Sequence, residues 1–250
     1  MLNELKSKLK NRGKIFGTTI INFKWSGIVQ MMKNDVLDFI LIDLEHGNFS
    51  TETAEEMFLM CNVLKIPVFA RVTDKEYAYM SKVLDMGADG ILVPRVESVE
   101  EAQNIIRYTR FPPKGKKGCG GFSLLRNVDG VENFNSTKVL LLQIESPQGI
   151  ENLQAMLDMK EFEGVLIGPA DLSIAMGIPL QFDNPALKDA IMKILNICQL
   201  NNISCGIFCD SAEDIEYWRK AGMNILWAGA DIGFFKRSYD EMSELIRQID

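Results

Sequence analysis

The strongest constraint on this chain is a regular alternation of two kinds of segment. Short, nearly continuous apolar runs rich in β-branched residues recur at 14–20, 39–44, 67–72, 90–96, 139–145, 164–168, 204–209 and 225–230. Strands covered on both faces by other elements have this pattern, because neither face meets water. Between them lie amphipathic stretches near 25–35, 51–64, 75–86, 98–108, 148–158, 186–201, 211–221 and 233–249. Several open on a Ser or Thr followed by an acid, as at Ser50-Thr51-Glu52 and Ser211-Ala212-Glu213, the signature of a helix N-cap. Others close on glycine, as at Met86-Gly87 and Ala221-Gly222, where a left-handed cap is wanted.

Eight such strand–helix units in 250 residues predict a (β/α)8 TIM barrel forming a single domain over 1–250. An open doubly wound sheet is the alternative, weakened because no GxGxxG or GxxxxGK[ST] turn follows the first strand. The segment 111–137 stands out as one long irregular connection, rich in Gly and Pro. Long loops of this kind tend to serve function. With 27 basic against 34 acidic residues the chain carries a formal charge of −7, which argues against a nucleic-acid partner and for a small-molecule enzyme or binding protein. No apolar run is long enough for a membrane span, and the N-terminal stretch lacks the apolar core of a signal peptide. The cysteines at 61, 119, 198, 205 and 209 match no metal spacing, so reduced thiols and a cytoplasmic setting are expected, with Cys119 between glycines the one open to oxidation.

Barrels of this class do their chemistry at the C-terminal ends of the strands. Here those ends carry Asp43-Leu44-Glu45-His46, Arg71, Arg95 with Glu97, Gln143-Ile144-Glu145, Gly168-Pro169-Ala170-Asp171, Asp210 and Asp231. Asp43, Glu97 and Asp210 are readable simply as solvated strand ends. Glu145 and Asp171 end consecutive strands without a basic sequence neighbour, and two such carboxylates repel unless a cation joins them. A pair of hard oxygen donors suits Mg²⁺ or Mn²⁺, other divalent ions less so, and zinc least because no His or Cys accompanies them. Arg71 suits a carboxylate-and-carbonyl substrate or an enolate oxygen, or else a salt bridge to Asp43 or Glu45. His46, the single histidine, is a candidate for proton transfer or a structural residue.

Together these motifs resemble the class II pyruvate aldolases of the HpcH/HpaI family (4-hydroxy-2-oxoheptanedioate and 2-dehydro-3-deoxyglucarate aldolases), related to the citrate lyase β-subunit. The resemblance rests on Asp38–His46 (DFILIDLEH), Pro67–Arg71 (PVFAR), Val83–Ala88, Ile91–Pro94, Phe111–Gly115, Gln143-Ile144-Glu145 and Gly164–Ser173 (GVLIGPADLS). It implies a barrel of the phosphoenolpyruvate/pyruvate-domain type that cleaves a 4-hydroxy-2-oxo acid, or a 2-dehydro-3-deoxy sugar acid, to pyruvate and an aldehyde. It implies that Glu145 and Asp171 hold the metal and that Arg71 binds the pyruvate carbonyl and steadies the enolate. It further implies that His46 works with Asp85 as acid and base, and that Gly168, Pro169 and Ala170 cradle the carboxylate. It also implies a homo-oligomer, a hexamer, through the C-terminal helix bearing Phe234-Phe235. A CoA-thioester lyase of the citrate lyase type and a non-catalytic 2-oxo-acid-binding protein are the alternatives. Two departures bear on specificity. Lys117-Gly118-Cys119-Gly120 stands where the family has Arg-Gly-x-Gly, and Lys cannot reproduce bidentate Arg contacts. Arg95 either reads an anionic or polyhydroxylated acceptor or pairs with Glu97, and Arg126 is a weaker candidate for the same task.

Overall fold

In the computed structural model, which describes residues 1–120 and 130–249, parallel strands pair in chain order and the last returns to the first, closing a barrel. The strands are β1 Ile15–Ile20, β2 Phe39–Asp43, β3 Val68–Arg71, β4 Gly90–Val93, β5 Val139–Ile144, β6 Gly164–Ile167, β7 Ser204–Cys209 and β8 Ile225–Ala230. Every residue of β2 to β6 is buried, which is why those runs lack polar alternation. The helices described are α1 Leu2–Lys10, α2 Ile28–Met32, α3 Thr51–Val63, α4 Tyr77–Asp85, α5 Val99–Thr109, α6 Val131–Thr137, α7 Pro147–Leu157, α8 Pro169–Ala175, α9 Pro185–Leu200, α10 Ala212–Ala221 and α11 Asp231–Arg247. Among the described residues no helix is long and apolar enough to cross a membrane.

The closed sheet divides the apolar side chains into two cores. Ile40, Ile42, Val68, Ala70, Leu140 and Leu142 face outward under the helices. Phe39, Leu41, Phe69, Leu92, Leu141, Leu166 and Trp227 fill the interior, and Leu5 and Leu9 of α1 plug its N-terminal end. Gly17 is required by this packing, since a Cβ there would lie 2.0 Å from the Phe39 ring. Alternation along a strand then places Asp43 two residues beyond Leu41, Arg71 two beyond Phe69 and Gln143 two beyond Leu141, all on the interior-facing register. The polar residues of the mouth are therefore the next layer above the apolar fill.

Three local differences from the sequence expectation have physical causes. β4 stops at Val93, short of 96, because Arg95 turns into the left-handed region (φ +49°) and Val96 bonds back to the Gln143 carbonyl. The connection 111–137 contains α6 at its end. A short helix not expected from the sequence, α8, follows Gly168, with Pro169 in its first turn, where a missing N–H costs nothing.

Candidate active site

The mouth is organised around Arg71. Its Nε donates to Asp43 Oδ1 at 2.9 Å and its Nη2 to Asp43 Oδ2, a two-pronged pair that follows from the β2–β3 register placing Asp43 opposite Arg71. Asp43 is fully buried and its Oδ1 also accepts the amides of Glu45 and His46, at 3.0 and 3.2 Å. It is thus a structural anchor for the loop carrying His46 rather than a solvated strand end. Arg71 Nη1 lies 3.5 Å from Glu45 Oε2, so both salt bridges foreseen for it coexist with a place at the mouth. Burial opposes the charge on Arg71, but Asp43, Glu45 and Glu145 outweigh it and raise its pKa above the ordinary guanidinium value. Arg71 stays cationic at any working pH.

Glu145 follows β5 directly and is 4% exposed. Both its oxygens are held, Oε1 by the Arg95 amide at 2.9 Å and Oε2 by the Gln143 side-chain amide at 2.6 Å. Gly168 leaves room for this carboxylate, since a Cβ there would lie 2.2 Å from Glu145 Oε2. Burial, then the charges of Asp171 and Glu45, push the Glu145 pKa up to about 7, against partial relief from the Arg95 amide and Arg71. Asp171 lies in the exposed first turn of α8. A buried carboxylate locked in orientation yet crowded by like charges is what a cation site requires of its donors. Among the described residues no group of three or more His, Cys, Asp or Glu side chains encloses a metal position. Glu145 and Asp171 are hard oxygen donors, which in chemistry fit Mg²⁺ better than a structural zinc with its Cys and His ligands.

His46 stands at the rim with its side chain 54% exposed, and its Nε2 is 3.8 Å from Glu45 Oε2. The structure does not pair it with Asp85. That carboxylate ends α4 and is 2.6 Å from Lys117 Nζ, so within one protomer the acid beside the imidazole is Glu45. Lys117 itself is buried, its ammonium paired with Asp85 and lying over the rings of Phe111 and Phe134. Arg95 pairs with Glu45 Oε1 at 3.0 Å and not with Glu97. Arg126 lies outside the described residues. Gly168, Pro169 and Ala170 lie at the β6–α8 junction beside Glu145.

Sequence reasoning missed Glu45 as the hub joining Arg71, Arg95 and His46, and Gln143 as the clamp on Glu145. Strand parity would have found Gln143, which shares the inward register of Leu141.

The family model for HpcH/HpaI aldolase/citrate lyase matches residues 26–237. The hydroxypyruvate/pyruvate aldolase of Roseobacter denitrificans is 29% identical over 236 residues, covering 92% of this chain and 92% of its own. The 2-keto-3-deoxy-L-rhamnonate aldolase of Klebsiella pneumoniae is 29% identical over 249 residues, covering 96% and 93%. In fold, the HpcH/HpaI aldolase of Desulfitobacterium hafniense superposes with a TM-score of 0.92 at 23% identity, over 98% of this chain and 97% of that one. The closed barrel, the carboxylates and arginine at its mouth and a family match over most of the length agree: the chain belongs to the HpcH/HpaI aldolase/citrate lyase family.

Proposed function

We propose that this aldolase is divalent-metal-dependent and cleaves a 4-hydroxy-2-oxo acid to pyruvate and an aldehyde. The observation that carries the reading is the Glu145 carboxylate, buried, clamped on both oxygens and burdened by like charges that a cation would relieve. Glu145 and Asp171 would hold the ion, which supplies Lewis-acid stabilisation of charge on the 2-oxo acid oxygens. Arg71, fixed by Asp43, presents its guanidinium to the same oxygens and stabilises the negative charge that develops as the C3–C4 bond breaks. Backbone amides at the Gly168–Asp171 turn, Pro169 excepted, orient the substrate carboxylate. His46 takes the proton of the 4-hydroxyl as the carbonyl of the departing aldehyde forms, and C3 of the pyruvate enolate is protonated in turn. Glu45 sits between His46 and Arg71 and fixes both.

Coupling pyruvate release to lactate dehydrogenase, with and without EDTA, tests this. Turnover that survives EDTA, or full activity in Arg71→Ala, overturns it. We further propose that α11 joins subunits. Phe235, Tyr239, Met242 and Ile246, spaced along one side of the helix, are all more than half exposed, while its one buried residue is Asp231. Light scattering on Phe235→Glu reads the loss of a homo-oligomer directly. Four buried free cysteines besides exposed Cys119 support a reducing, cytoplasmic setting.

A further inference from the structure

We propose that the acceptor side of the mouth is built for an uncharged, hydroxyl-bearing aldehyde and against one carrying a second carboxylate. This deepens, and rests on, the aldolase reading above. The loops after β3 and β4 enclose a cavity of about 250 Å³ lined by Thr73, Asp74, Lys75, Pro94, Arg95 and Glu97. Arg95 ties this cavity to the reacting centre. Its amide donates to Glu145, its carbonyl accepts from Lys75 Nζ at 2.8 Å, and its guanidinium reaches Glu45. Through Arg95 the cavity adjoins the carboxylate that would hold the metal, and this is the side we assign to the far end of the aldehyde half.

The charges around the cavity decide what that end is. Each cation is already committed: Arg71 to Asp43 and Glu45, Arg95 to Glu45, Lys75 to Glu101. Among the described residues Asp74, Glu97, Glu145 and Asp171 take part in no ion pair. A divalent ion offsets part of that surplus at Glu145 and Asp171, and the pyruvate carboxylate then adds a charge of its own. A second substrate carboxylate would therefore enter a field of its own sign, in which the described cations lining the cavity, Lys75 and Arg95, are each already paired with a carboxylate. Hydroxyl groups carry no charge and meet no such repulsion. Each can donate to Asp74 or Glu97, whose carboxylates line the cavity.

Glyceraldehyde and tartronate semialdehyde differ only in a terminal CH2OH against COO⁻, so they isolate this charge. In the addition direction, with pyruvate and saturating Mg²⁺ or Mn²⁺, kcat/KM for glyceraldehyde is expected to exceed that for tartronate semialdehyde by about tenfold or more. The intact enzyme brings all its charges to this comparison, Arg126 included. Reversing the rim with Asp74→Lys and Glu97→Lys together should narrow the ratio by about tenfold. Metal-dependent deuterium exchange into the pyruvate methyl group should not change, because neither residue touches that half. Equal or better use of tartronate semialdehyde by the unaltered enzyme overturns the proposal, as does exchange without addition to glyceraldehyde. Absence of exchange overturns the aldolase reading instead, and this inference with it.

Discussion

Both ends of the barrel bury charged groups, and they treat them in opposite ways. At the N-terminal end Arg110 is 2% exposed, lies 3.9 Å from both Glu161 and Glu163, and donates to the Lys138 carbonyl at 3.0 Å. Lys6 approaches Glu163 at 3.6 Å, and Lys138 donates to the Ala88 carbonyl at 2.7 Å under the attraction of Asp89. Asp89 and Glu163 in turn accept the amides that start β3 and β5. Burial raises the pKa of both acids and lowers those of Arg110 and Lys138, and in each case the largest counterweight is an opposite charge. At the C-terminal end burial raises Glu145 as well, but the next causes are Asp171 and Glu45, charges of the same sign. Burial costs both ends alike. The bottom is neutralised from within the chain and serves stability, whereas the mouth is left short of positive charge and so is prepared for what the chain does not contain.

That contrast can be broken first where the effect is largest. Glu145→Gln should lower aldol cleavage by about 10³-fold or more, since the interaction lost acts on the developing charge of the transition state. Its urea midpoint without metal should not fall. An equal drop in stability and activity would mean that Glu145 is an ordinary buried carboxylate. At the other end Arg110→Met removes the buried cation shared by Glu161 and Glu163, leaving Lys114 and Lys6 as their partners, and should cost up to about 3 kcal/mol by denaturation. Activity per folded molecule should stay within about twofold. A selective loss of activity there would erase the division between the ends.

The raised pKa of Glu145 gives a signed pH test. Its ordinary value is 4.5 and in the fold it is about 7, so between those values the native state keeps a proton that the unfolded chain releases. Stability of the metal-free protein should therefore fall as pH rises through that window, by about 3 kcal/mol more than in Glu145→Gln. Saturating Mg²⁺ or Mn²⁺ should remove the difference by favouring the ionised form. A slope shared by both proteins would place the shift elsewhere.

How far the mouth could be read beforehand depended on which contacts were local. The strands were legible because burial on both faces writes itself into composition, and the places of Arg71 and Glu145 were legible because each ends such a run, while Asp171 lies in the first turn of α8. Asp43 was not, since its burial comes from Arg71 on the neighbouring strand, a register pairing between residues far apart in sequence. The acid beside His46 within the protomer was not legible for a similar reason. Asp85 lies on a helix end and meets Lys117 across the long connection, while Glu45 is adjacent in sequence. The role of Arg95 depended on a backbone angle, and side-chain chemistry alone carries no signal for it.

That angle supplies the smallest and most discriminating test. Lys65 adopts φ +58° just after α3, where it closes the helix and Ile66 bonds back to Cys61 at 2.8 Å. Arg95 adopts φ +49° at the mouth, where the turn aims its amide at Glu145. Both pay the steric cost of a Cβ in the left-handed region, partly offset on substitution by the greater freedom of glycine when unfolded. Lys65→Gly should thus gain about 0.5–1 kcal/mol by urea unfolding, and Arg95→Gly less, because the half-buried Arg95–Glu45 pair is lost in return. Lys65→Gly should leave kcat/KM unchanged, because its strain serves only the helix end. Arg95→Gly keeps the amide on Glu145 but leaves Glu45 to Arg71 and His46, so kcat/KM should fall by up to about tenfold although stability does not. If both variants gain stability and neither loses activity, the strain at Arg95 is a folding detail like that at Lys65, and the guanidinium has no part in holding Glu45 for His46 and Arg71.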